Sequence, residues 1–385
     1  MSDVAPTLLA LDIVAKQLKA FYHVVEDTTA IAFAPFDTLA TLAMLATVAS
    51  EPTKTHIIHY LCILPEEQQT ILKYYKDSFH KITESLKETS KHTKKPEIHL
   101  ASLLLEKSYS WSNEAIETIN DFFETKACYF VEFQNESDNV ILSKCNDQHF
   151  SHPLKFINFM DRTLGMLGQA ACKLSPKLIL DNVENSFVTT SMGFTWYHCL
   201  TAASYSRTEQ VSMVNIRAEG DRIVSFVKPA AGITVKELIN RWGTHQFAEW
   251  IARRGHEKPV NLRIPLCAVA GEFDFLNSSD NDPRLEDIMD IDLADFSQLC
   301  ESNCVTLDGL ASYARIQLFS PTPNTDLPNP ESSPIPEQMK ATVPGFIDFK
   351  IKDSFIVLVC MAPPTFNVLA INSFDSIKTM PAARK

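Results

Sequence analysis

Between Ser320 and Pro344 the chain carries seven prolines and no glycine. Proline fixes its own φ and donates no backbone hydrogen bond, so this run is excluded from helices and from central strands. It reads as a long, extended, exposed loop. A strand-like segment, Ala314 to Phe319, precedes it, and two very apolar ones, Phe355 to Cys360 and Phe366 to Ile371, follow. A folded body therefore holds the run at both ends.

That body has ample material for a core, since the chain has 385 residues and is 45% hydrophobic. A formal net charge of -12 excludes a general nucleic-acid binder, which needs a basic face. No run of about twenty apolar residues exists to cross a membrane as a helix. The N-terminus lacks a basic n-region, and Asp12 interrupts the apolar stretch Leu8 to Val14, so no cleavable signal is expected. Nine cysteines without a regular framework suit free thiols in a reducing compartment. The location implied is cytoplasmic, with extracellular as the alternative.

Hydrophobic spacing predicts a helix over residues 7–22, a short strand at Ile31 to Pro35, and an almost entirely apolar helix over residues 36–48. A helix apolar on every face belongs inside a large core. A third helix bears Leu72, Tyr75, Phe79, Ile82 and Leu86. Further strands are expected at Ile98 to Leu105, Tyr129 to Phe133 and Lys177 to Val183, and as several short ones over 187–228. Helices are expected at Asn113 to Phe123, Pro153 to Leu167 and Val235 to Arg253, with strands at Val260 to Leu266 and Gly271 to Phe275. Helices first and strands thereafter predict one α+β domain over 1–385.

Catalytic patterns are weak. His56 and His59 are spaced like paired metal ligands but have no third ligand nearby, which favours one packed and one solvated imidazole. Cys300 and Cys304 lie a helical turn apart, which reads as free thiols. Asp274 to Asp287 lacks the glycine of a calcium loop and reads as a solvated acidic turn. Lys87 to Lys95 has no interleaved aromatics and reads as a solvated helix end. No nucleophile elbow, dinucleotide fingerprint or phosphate loop occurs. The expectations are no enzyme activity, no cofactor and no metal.

Several stretches, taken in order, resemble the serpin family. Phe33-Ala-Pro35, leading into Leu42-Ala-Met-Leu45, is similar to that family's approach to its buried helix. Ala101 to Tyr109, Ala127 to Phe133, Lys177 to Phe187 and Asp221 to Pro229 resemble successive family strands. Val260 to Pro265 with Phe273-Asp-Phe275, and the closing pair Asp348 to Val359 and Phe366 to Asn372, do so too. The resemblance implies helices around a large central mixed β-sheet, smaller sheets, and an exposed reactive loop at about 320–345. In inhibitory members a protease cleaves that loop, whose first part then inserts into the sheet as a new strand.

The hinge departs from the pattern. Where acidic, glycine, alanine and threonine residues should stand, the chain has Ser320, Pro321, Thr322, Pro323, Asn324 and Thr325, then Pro328 and Pro330. An inserted strand would be central, and each proline removes a donor that its neighbour requires. Bait candidates are Glu337, Gln338, Met339, Lys340 and Ala341, with Lys340 suited to a trypsin-like cut. Residues 187–213 look too short for the family's hairpins, which suggests an internal deletion. Trp196 stands in for a tryptophan expected nearby, and Ala46 to Ser50 and Asn372 replace expected glycines. The expected function is therefore that of a non-inhibitory, monomeric protein-binding member. The alternative is a serine- or cysteine-type endopeptidase inhibitor using residues 337–341 as rigid bait. Partners would be a protease or another protein, with neither nucleic acid nor membrane.

Overall fold

The structure is a computed structural model. It describes residues 14–16, 18–19, 30–61, 68–90, 98–124, 126–136, 140–141, 144, 164–174, 186–191, 194–218, 221–241, 257–266, 268–274, 283–301, 305–318, 347–352, 354–362 and 368–374. Proline starts the central helix. Pro35 occupies the first turn of α1 (Pro35–Val48), where its missing N–H costs nothing. Every α1 residue except Thr47 is buried, and its threonine hydroxyls are satisfied within the helix or by the residue before it. Thr38 Oγ1 donates to the Ala34 carbonyl at 3.0 Å and Thr41 Oγ1 to the Asp37 carbonyl at 2.7 Å. This back-bonding lets threonines sit in a helix with no exposed face.

Around α1 stand two sheets. The larger is nine-stranded, in the order β1 (Ala30–Phe33), β14 (Val368–Phe374), β13 (Phe355–Met361), β8 (Arg222–Pro229), β7 (Val211–Ala218), β6 (Phe194–Arg207), β9 (Glu257–Leu266) and β12 (Ile347–Lys350). Its ninth strand, β5 (Ser186–Ser191), also pairs with β6. The second is five-stranded and mixed, in the order β10 (Ala268–Asp274), β11 (Leu307–Leu318), β4 (Leu164–Leu174), β2 (Ile98–Glu106) and β3 (Cys128–Val131). Helix α1 packs on β2, β4 and β11 of the second sheet and on β14 of the first.

The expected helices α3 (Gln68–Ser90), α4 (Asn113–Phe123) and α5 (Val235–Arg241) are present, joined by α2 (Thr53–Tyr60) and α6 (Pro283–Met289), which the sequence reading did not place. Helix α4 has the predicted limits for a physical reason. The Ser112 hydroxyl caps it by accepting from Ala115 N at 3.2 Å, and Glu124 ends it in the left-handed region at φ 49°. Its buried stripe places Phe123 edge-on to Phe79 of α3, with ring centroids 4.6 Å apart. Val14, Ala15 and Leu18, from the first predicted stripe, are buried. No described helix is long and apolar enough to cross a membrane.

Two readings are corrected. Residues 164–167, expected to end a helix, open β4 instead. Leu164, Gly165 and Met166 are all buried, because β4 is covered on both faces. A strand buried on both sides shows no alternation and mimics a buried helix. The acidic turn Asp274 to Asp287 becomes helix α6 from Pro283, with Leu285 and Ile288 in the core. The strand expected at Lys177 to Val183 lies outside the described residues. The stretch 187–213 holds most of β5, all of β6 and the start of β7, joined as antiparallel pairs.

Candidate functional site

The loop's candidate residues lie outside the described residues: Ser320, Pro321, Thr322, Pro323, Asn324, Thr325, Pro328 and Pro330, and Glu337, Gln338, Met339, Lys340 and Ala341. Both of its anchors are described. The chain leaves the five-stranded sheet at Leu318 and rejoins the nine-stranded sheet at Ile347. The candidate site is the seam between β11, from which the chain enters the loop, and its neighbour β4.

That seam is a parallel ladder running from Leu307↔Leu164 to Leu318↔Leu174, with one irregularity between Leu307 and Gly309. At the irregularity the Asp308 carboxylate accepts from Leu164 N at 3.3 Å and from the Thr306 hydroxyl. This ties the first residue of β4 to β11. Midway along, Ser312 is fully buried. Its Oγ accepts from Ala34 N at 2.8 Å and donates to the Ala34 carbonyl at 3.2 Å, crossing to the residue before α1. Three consecutive β11 residues, Ser312, Tyr313 and Ala314, are buried, so β11 is interior on both faces. A serine within the largely apolar stretch Leu310 to Ala314 is a visible sequence signal, since a buried hydroxyl needs a partner. The sequence reading passed over it.

The second anchor is held by β9. Asp348 accepts from Asn261 Nδ2 at 3.0 Å and pairs with Lys350 Nζ at 2.9 Å, while Ile351 N donates to the Arg263 carbonyl at 3.0 Å. Lys228 Nζ donates to the Lys350 carbonyl at 3.3 Å and lies 5.0 Å from the Phe349 ring centroid. Trp196 is buried beneath Arg263, whose guanidinium is 4.1 Å from its ring centroid. Burial, then Arg263 and Lys350, push His198 down to about 4, so it is neutral near pH 7.

The remaining candidates do not converge on this seam. His56 Nδ1 lies 3.4 Å from Asp287 of α6, and His59 is exposed on α2. Cys300 is buried and its thiol contacts the Ser110 carbonyl at 3.3 Å, while Cys304 lies outside the described residues. Among the described residues, no group of three His, Cys, Asp or Glu side chains could hold a metal. The thiols of Cys128, Cys199 and Cys360 are each pushed up to about 12, chiefly by burial. Thiolate is the reactive form. Iodoacetamide mapped by peptide mass is therefore expected to label Cys199 and Cys360 only after denaturation; labelling in the native protein would contradict their burial.

No family model and no curated protein matches the sequence. Solved structures do match. The chain is similar to maspin at a TM-score of 0.74 and 15% identity, over 97% of this chain and 99% of that one. This chain has the serpin fold. Native protease nexin-1, solved with heparin, matches at a TM-score of 0.70 and 14% identity, over 96% of this chain and 99% of that one. The thermophilic serpin tengpin, in its native state, matches at 0.70 and 15%, over 96% of this chain and 94% of that one. Within this serpin fold the five-stranded sheet is closed, because β11 meets β4 directly.

Proposed function

We propose that this protein is a non-inhibitory, monomeric member of the serpin group that acts by binding another protein, through its loop or another surface. The observation that carries the reading is the sequence immediately beyond the end of β11. Leu318 is followed within three residues by Pro321 and then by Pro323, Pro328 and Pro330. A strand folding back from Leu318 would lie between β11 and β4, where each neighbour needs backbone donors. Four prolines there would leave up to four carbonyls unpaired, at about 1–3 kcal/mol each. The closed ladder would be lost as well. Four buried, unpaired cysteines among the described residues suit a reducing compartment such as the cytoplasm.

Incubation with trypsin, followed by thermal unfolding of the cut protein, tests this reading. Cleavage in the loop, with Lys340 as the favoured site, is expected to give no SDS-stable complex and only a small change in midpoint. Insertion of a new central strand would raise the midpoint by more than about 10 °C, through roughly ten new hydrogen bonds. Either that rise or a covalent complex would overturn the proposal. Tight reversible inhibition without cleavage would instead identify residues 337–341 as a rigid bait.

A further inference from the structure

A second feature lies at the C-terminal end of β6. Arg207 of β6 pairs with Ser212 of β7, and Ser212 pairs with Lys228 of β8. Residues in direct register share a face, so two cations flank one hydroxyl across three strands. With strands about 4.8 Å apart, the outer α-carbons stand about 10 Å apart, and both long side chains can meet over Ser212. Like charges gathered in this way are unfavourable unless an anion lies between them.

The row opens into a cleft of about 670 Å³, which Tyr205, Thr208 and Phe349 also line. That size suits a small molecule rather than a lone ion. Two carboxylates reach the same cleft. Asp348 is already engaged by Lys350 and Asn261, and Glu209 is exposed. The Lys228 ammonium spends one of its three donors on the Lys350 carbonyl. Its affinity for a proton is lowered by burial, with Lys352 and Arg207 acting in the same direction and Asp348 opposing them.

We propose that this cleft binds a small polar phosphate ester, with the phosphate seated over Ser212 between Arg207 and Lys228. Phosphate fits better than a carboxylate because it has enough oxygens for a guanidinium fork, an ammonium and a hydroxyl at once. The ester's remaining polar body would lie along Tyr205 and Thr208.

Isothermal titration with inorganic phosphate and with glucose 6-phosphate, at constant ionic strength, provides the test, with glucose as the control. Saturable one-to-one binding is expected for both phosphates and none for glucose. Arg207→Met and Lys228→Met are each expected to weaken binding by about tenfold or more, and Ser212→Asp to abolish it. Arg207 is exposed, so its variant reads the site even if Lys228→Met folds poorly. Absence of saturable phosphate binding, or equal affinity in wild type and Arg207→Met, would overturn the assignment.

Discussion

Gly271→Ala is expected to lower stability by more than about 3 kcal/mol, a large loss for one methyl group. A Cβ at Gly271 would stand 2.7 Å from Ala32 N, 2.8 Å from Ala32 O and 3.1 Å from its Cα. These are backbone atoms and cannot swing aside as a side-chain end would. Their strands cannot easily yield either, since β1 is paired to β14 over its whole length and β10 to β11 over its own. The methyl group must therefore drive the two sheets apart at the point where they meet. Gly232→Ala supplies the contrast. Gly232 needs a positive φ of 84° but has nothing within 4 Å, so only about 1 kcal/mol should be lost. Urea unfolding of the two variants beside the wild type reads the difference. A loss below about 1 kcal/mol at Gly271 would mean that the sheets are not so closely apposed.

Legibility in the sequence followed the range of the interactions. Helix α4 could be read to its ends because its cap, stripe and terminus are all local. Helix α1 could be read because thirteen of its residues are buried, which leaves a run that is mostly apolar on every face. Strand β4 could not, since its identity comes from β11 and β2, distant in sequence, and not from its own period. Gly271 was read as part of a strand, while its closeness to Ala32 depends on how two sheets cross. Ser312 and Lys228 were missed for the same reason: their partners Ala34 and Lys350 lie far along the chain. The loop's prolines needed no partner to be informative, because the constraint they impose is covalent.

Ser312→Ala is expected to cost about 1–3 kcal/mol by orphaning one buried donor. The Ala34 carbonyl keeps Thr38, whose N–H and hydroxyl both donate to it, at 3.3 Å and 3.0 Å. The Ala34 N–H loses the hydroxyl at 2.8 Å. The loss also releases β11 from the residue before α1, so amide exchange over residues 307–318 is expected to accelerate more than exchange in β13. Unchanged exchange in β11 would mean that the hydroxyl does not restrain the seam. The same variant separates two obstacles to insertion, the closed ladder and the proline-rich loop. When its loop is cut, its midpoint is still expected not to rise, because a looser seam supplies no donor that proline lacks. A marked rise in the cut Ser312→Ala protein alone would put the barrier in the seam. A further cut variant with Pro321, Pro323, Pro328 and Pro330 replaced by alanine is expected to gain the rise that Ser312→Ala does not. Were that variant also unmoved, the prolines could not be the obstacle.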